Sequence, residues 1–388
     1  MSTSGTATIV ACFVALVAVL VGSAVAEPNA NGSWRTVGST AVGHESAGLA
    51  LLGDGRVLVA GGHALTRGRK WVLIDSAELY DPKTETWQAT GPLVEKRQGI
   101  WSLVVLKSGK VLLAGEHDTL IGAELYDPKT GKWTATGKLL TGRGGHTTTL
   151  LPNGKVLIAG GIDYSAGGTP IFDSTELYDP DKATWGTAGS MAVSRFKHAA
   201  VRLVSGEVLV AGGISTEPSD DRALASAEIY NPVAGTWRTV GSMAAGRELV
   251  KAVLLPNGKV LAVGGSIGHF GKYKALASAE IYDPKTERWT STGALVEART
   301  QFTMTLLGDG RVLVAGGARP FTSALSTAEI YDPTSGTWSE AGSMKTRRWN
   351  HRAVLLPNGD VLVVGGCDLL GELTSVELYS PGLRGSEK

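Results

Sequence analysis

The sequence is poor in cysteine, poor in charge and almost without net charge. Its 388 residues include two cysteines, too few for a disulfide framework, so the fold has to be held together by packing. Lys and Arg number 37 against 36 Asp and Glu, a net charge of +1. Polyanion binding driven by bulk charge needs a basic excess gathered on one face, so no nucleic-acid partner is expected. Charged residues make up 19% and hydrophobic ones 43%, which is too apolar for a disordered chain. No serine-nucleophile motif, phosphate loop or zinc-ligand spacing occurs. What the sequence holds in excess is glycine, with 52 residues, and tryptophan, with 10. That combination points to many short strands joined by tight turns.

One apolar run stands apart. Ile9 to Ala26 carries no charge and ends in Ala24-Val25-Ala26, ahead of Glu27-Pro28. It reads as a secretory signal peptide, residues 1–26, cleaved after Ala26, and predicts a secreted, periplasmic or cell-surface protein. At about 18 residues it borders on the length of a membrane-spanning helix, and retention as an anchor is the alternative. After cleavage no stable membrane insertion is expected, and Cys367 is left as the sole thiol.

Self-comparison shows seven copies of one unit. Leu-Leu-Pro-Asn-Gly-Lys-Val-Leu-Ile-Ala-Gly-Gly, residues 150–161, recurs with its turn glycine at Gly55, Gly109, Gly154, Gly206, Gly258, Gly310 and Gly359. A Glu-Leu-Tyr or Glu-Ile-Tyr triplet follows each, ending at Tyr80, Tyr126, Tyr178, Tyr230, Tyr282, Tyr331 and Tyr379. Seven residues beyond the first six tyrosines stand Trp87, Trp133, Trp185, Trp237, Trp289 and Trp338; a seventh, Trp34, precedes the first copy. Each unit reads as four strands. In the third copy these are His146 to Leu151, Lys155 to Ala159, a strand carrying Glu176, Leu177 and Tyr178, and one that Trp185 begins. Asn153-Gly154 reads as a two-residue turn. The second strand is apolar on both pleat faces and must be covered on both sides. Gly160-Gly161 predicts a close approach by another backbone, and Tyr178 with Trp185 an aromatic pair across a hairpin.

A Gly-Gly pair, then Glu-Leu-Tyr-Asp-Pro, then Trp seven residues after Tyr, resembles the kelch repeat. The resemblance implies an all-β fold, a seven-bladed β-propeller of four-stranded antiparallel blades. The last copy has no Trp strand after Pro381. Trp34-Arg35-Thr36-Val37-Gly38-Ser39 is therefore expected to complete the last blade as its outer strand, removing an exposed edge. The organisation that follows is a linker over 27–33, a propeller over 34–381 and a flexible tail over 382–388. The Leu-Leu-Pro-Asn-Gly-Lys-Val-Leu style also resembles that of bacterial exported kelch proteins.

Within such a blade the strand one–two and three–four turns share one face, and they are short and uniform. The two–three loops and blade-to-blade segments share the other face, where the copies differ most, and recognition is expected there. Positions filled alike in every copy read as structural. That applies to Glu78, Glu124, Glu176, Glu228, Glu280, Glu329 and Glu377, and largely to Arg143, Arg195, Arg247, Arg299 and Arg348. A bracing guanidinium can still face a ligand, so the five arginines stay among the candidate contacts. Departures from the repeat supply the others. The second copy has Gly115-Glu116 in place of Gly-Gly, followed by His117 and Asp118. All three side chains are metal-ligand types, but adjacent residues rarely converge on one ion, and no metal or cofactor is expected. Trp101 stands where copies three, four and seven have His146, His198 and His351, which read as hydrogen-bonded residues at the core edge. The first loop carries Arg67, Arg69, Lys70 and Trp71, and the fifth His269, Phe270, Lys272, Tyr273 and Lys274; either suits an anionic glycan or an acidic peptide. Trp349, beside Arg347 and Arg348, completes the set.

Some kelch propellers are enzymes. Copper-radical oxidases of this fold need a Tyr cross-linked to Cys, a second Tyr and two His. Cys367 has no Tyr-His pair to serve with it, and seven of the nine Tyr belong to the repeat. The iron-binding specifier pattern of Glu, Asp and His at four-residue steps is also missing. The leading expectation is a non-enzymatic, exported monomer that binds a protein or carbohydrate partner through its variable face. A carbohydrate-active enzyme of the mutarotase or epimerase kind, using Glu116 or an axial histidine as an acid–base group, is the alternative. A surface or matrix structural protein is the third.

Overall fold

The computed structural model describes residues 32–65, 71–97, 103–115, 122–163, 170–215, 222–268, 273–319 and 323–382. Its regular elements are all β-strands. Seven four-stranded antiparallel sheets follow one another along the chain, one per repeat. The third is Thr147–Leu150, Val156–Ala159, Ser174–Asp179 and Thr184–Ser190, in that spatial order. The innermost strand of every sheet packs against those of both neighbours, the seventh against the first included. The sheets are therefore the blades of a closed seven-bladed β-propeller.

Each second strand is a run of four buried residues, such as Val156, Leu157, Ile158 and Ala159. Strand alternation fails there because both faces of a blade are covered by other blades. The glycine pair has the predicted cause. A Cβ on Gly160 would lie 2.2 Å from the Arg195 carbonyl oxygen of the next blade, and the Gly161 N–H donates to that same oxygen at 2.9 Å. The turn between the first two strands differs from the two-residue reading. The Leu151 N–H donates to the Lys155 carbonyl at 2.9 Å and the Gly154 N–H to the Leu151 carbonyl at 3.0 Å, so the loop is the three residues Pro152-Asn153-Gly154. Pro152 suits the second position of a type I turn, and Gly154 takes the left-handed place after it with φ +87.

The seventh blade is completed as expected. Ser33–Ser39 pairs antiparallel with Ser375–Ser380, with Trp34 opposite Tyr379. Their rings lie 5.0 Å apart, against 5.0 Å for Tyr178–Trp185 and 5.2 Å for Tyr80–Trp87, so the closing pair reproduces the pair within a continuous blade. The Trp34 indole N–H also donates to the Ala341 carbonyl of blade 6 at 2.9 Å.

Several two–three connections are more ordered than the loops read from sequence. Five form short two-stranded ribbons, among them Ser266–Ile267 with Lys274–Ala275 and Ala318–Arg319 with Ser323–Ala324. No helix among the described residues is long and apolar enough to cross a membrane; residues 1–26 lie outside them.

Candidate functional site

The repeated Glu and Arg meet in the interior. Arg195 donates to Glu228 at 2.8 Å and to the carbonyls of Gly212 and Ser226 at 2.9 and 3.1 Å. Glu228 in turn accepts the backbone N–H groups of Ala192 and Val193, on the segment leading in from the previous blade. Arg143, Arg247, Arg299 and Arg348 make the same contacts with Glu176, Glu280, Glu329 and Glu377. All five arginines are 0–3% exposed. Offered by the sequence as both braces and rim contacts, they are interior braces, because the repeat carboxylate each one holds is buried with it. Two members of this ring escaped the sequence pattern. Arg97, twelve rather than eleven residues before its turn glycine, holds Glu124 in blade 2. His44 takes the arginine's place in blade 1, with Nε2 3.2 Å from Glu78 and Nδ1 2.9 Å from the Gly61 carbonyl.

The histidines one turn further in are also buried. Thr147 Oγ1 lies 2.9 Å from His198 Nε2, and Thr303 Oγ1 lies 3.0 Å from His351 Nε2, each across a blade boundary. Burial, aided by the neighbouring Arg143, pushes the His146 pKa down to about 3, and His198 and His351 are lowered beside Arg195 and Arg348. All three stay neutral at ordinary pH.

Just before the innermost strands the chain turns through left-handed conformations at Ser46, Gly145, Lys197, Leu249, Gln301 and Asn350, with φ between 52° and 62°. Backbone bonds link these places around the axis: Ser46 N–H to Asn350, Asn350 to Gln301, Leu249 to Lys197 and Lys197 to Gly145. For non-glycine residues this conformation is strained, and it persists because neighbouring blades hold it. The collar marks the mouth of the channel on the variable face.

Beside the collar, blades 5, 6 and 7, with Lys197 of blade 4 at the edge, line an open cavity of about 410 Å³. Tyr273 of the blade 5 ribbon and Trp349 of blade 7 both line it, with Glu248, Lys197, Gln301 and Arg319. Two residues picked from sequence, 76 positions apart, thus share one depression. Trp349 is fixed by paired backbone bonds of 3.0 Å in each direction with Cys367. Glu248 was not picked. It is 2% exposed; its Oε1 accepts from Ser266 Oγ at 3.1 Å, while Oε2 has no hydrogen bond among the described residues and lies 3.6 Å from Lys197 Nζ. Burial raises its pKa, outweighing Lys197 and the Ser266 bond. Glu248 follows Arg247 at a place that is Glu45, Gly144, Phe196, Thr300 and Trp349 in other copies, so the variation itself was the available signal.

The remaining candidates lie elsewhere. Arg67, Trp101, Glu116, His117 and His269 fall outside the described residues, as does the Trp71 side chain, whose backbone opens the ribbon strand Trp71–Leu73. Cys367 is buried, and desolvation with Glu45, Asp368 and Glu372 nearby pushes its thiol pKa up. Among the described residues no group of three His, Cys, Asp or Glu is placed to hold a metal.

The kelch-motif family profile matches residues 195–244, 251–293 and 305–345. An F-box/kelch-repeat protein of Arabidopsis thaliana is 29% identical over 146 residues, 38% of this chain and 34% of that protein. Kelch-like protein 33 of Homo sapiens is 30% identical over 147 residues, 38% of this chain and 26% of its own. The chain thus matches about a third or less of the length of these relatives. A fungal alcohol oxidase of the AA5 family, solved in complex with copper, superposes with a TM-score of 0.72 at 17% identity, over 90% of this chain and 76% of that one, a likeness of fold. Seven ordered repeats, the seven blades they build and these matches support a kelch-repeat β-propeller.

Proposed function

We propose that the chain is an exported binding module that takes a carbohydrate or protein partner on its variable face, with the cavity across blades 5 to 7 as the point of attachment. A kelch propeller fits a protein-binding role. The lining of the cavity favours the carbohydrate of the two. Trp349 and Tyr273 offer flat apolar surface, while Glu248, Gln301 and Arg319 offer acceptors and donors for hydroxyl groups. The observation that carries the reading is Glu248 Oε2, a buried carboxylate oxygen in that cavity whose neighbour is the Lys197 ammonium at 3.6 Å, with no closer hydrogen bond among the described residues. Such an atom is costly unless a ligand hydroxyl or water completes it.

A glycan array and a pull-down with the exported chain test this. Binding is expected, weakened about tenfold or more by Trp349→Ala and by Glu248→Gln. Blank results in both screens at high protein concentration argue against the reading. The raised pKa of Glu248 also favours a second reading, acid–base turnover of the bound sugar. That reading requires sugar isomerisation that Glu248→Gln abolishes; an unchanged rate removes Glu248 from it.

A further inference from the structure

The innermost strands that line the axial channel contain cations and no anion. They are Gly48–Leu51, Val104–Val105, Thr147–Leu150, Ala199–Arg202, Lys251–Leu254, Thr303–Leu306 and Arg352–Leu355, and none includes Asp or Glu. Arg202 ends its strand, exposed, and donates to the Leu150 carbonyl at 3.0 Å. Lys251 and Arg352 instead open theirs, at the same register two blades apart, just inside the collar. Gly48, Thr147, Ala199 and Thr303 hold that register on other blades, so the repeat itself has no structural need for a cation there.

Lys251 lines a second cavity, of about 210 Å³, together with Thr147, Lys197 and His198. Its side chain is only partly exposed, and protein surrounds its ammonium. Its ammonium has no hydrogen bond or ion pair among the described residues. Burial first, and then the charge of Arg352, push its pKa down to about 8, so its positive charge is held there at a cost. A counter-ion between them would remove that cost, and low-dielectric walls would strengthen its attraction.

We propose that the axial channel binds a phosphate-sized oxyanion between Lys251 and Arg352. The Thr147 and Thr303 hydroxyls stand at the same register, each against a buried histidine Nε2. With the ring proton on His198 Nε2, the Thr147 hydroxyl keeps its own proton to donate to the anion, whereas Thr303 Oγ1 also reaches the Ala315 carbonyl at 3.5 Å. The site adjoins the cavity of blades 5 to 7, with Lys197 lining both, and its ligand would enter through the collar.

Thermal melting and calorimetry with inorganic phosphate, chloride balancing the ionic strength, test the assignment. Saturating phosphate is expected to raise the wild-type melting temperature by roughly 2–4 °C. Lys251→Met and Arg352→Gln are expected each to lose the shift while melting no lower than wild type in chloride, which separates loss of the site from loss of the fold. Lys251→Arg, which keeps the charge, keeps the shift. Glycerol phosphate run in parallel identifies the source: a shift with phosphate alone marks a free ion, and one with the ester marks a larger ligand's headgroup. Identical melting in phosphate, ester and chloride, or a full shift in both charge-removing variants, overturns the proposal.

Discussion

Arg195 illustrates how a single side chain can tie three pieces of chain together: its own segment, the end of the second strand at Gly212, and Glu228 on the third. Both ions lie out of water, so their attraction works against a large desolvation cost and the pair adds little net stability. Removing one partner is different, because it strands the other charge. Arg195→Ala is expected to destabilise the protein by roughly 3–5 kcal/mol in urea unfolding, and a change under about 1 kcal/mol would contradict the latch. The buried histidines give a pH signature. Their pKa values are lowered in the fold, so the stability they contribute is complete above the unfolded value near 6.5 and is lost as pH falls below it. Carboxylates held below their usual range, such as Glu45 and Glu297, extend that loss only below about pH 4.5. Unfolding free energy should therefore drop between pH 6.5 and 5, with a slope that His198→Asn reduces; a flat profile there would contradict burial of neutral imidazoles. Glu248 has the opposite sign. Its raised pKa means that ionisation opposes folding, so Glu248→Gln should be at least as stable as wild type at pH 7, with no such gain at pH 4. At this scale the sequence showed which positions repeat. It did not show that the repeated arginines point inward, since a guanidinium can serve either place until its acceptors are located.

At the scale of the strand, the blade was legible because its chemistry recurs. Asn-Gly turns, doubly buried second strands and Tyr–Trp pairs each come from a few adjacent residues, and seven repetitions remove the ambiguity of any one. The turn length was misread because Asn-Gly alone signals two residues, whereas Pro152 one place earlier selects three. The ribbons on the variable face were missed because their strands are two or three residues long, too short to display a period. Closure is the element-scale claim with the clearest consequence. Ser33–Ser39 supplies the outer strand of blade 7, and Trp34 covers Tyr379. Removing residues 27–41 should lower the melting temperature sharply and expose the edge of Ser375–Ser380 to self-association. An unchanged melt would count against closure by this strand. Cys367, in the blade 7 ribbon, reports on the same region: native protein should resist a thiol reagent, and the strand deletion should make it react faster.

For the whole molecule, the ring gives every blade the same role in packing and leaves only the collar and ribbons free to differ. The cavity draws on residues from 197 to 369, brought together by the packing of successive blades around the axis rather than by any short spacing along the chain. This is why Tyr273 and Trp349 were recognisable one at a time as aromatic departures, but not as a pair. It is also why Glu248, hidden beside a structural arginine, was overlooked. The positive lining of the channel has the same origin, since Lys251 feels the charge of Arg352 only once blades 5 and 7 stand around a common axis. The central claim, that recognition occurs on the unequal face over blades 5 to 7, is tested most directly by amide hydrogen exchange with and without the glycan selected by the array. Protection is predicted at 248–249, 266–268, 318–319 and 349–350, with none at the turns around Gly206, Gly258 and Gly310. Protection at those turns, with the cavity segments unchanged, would contradict the account.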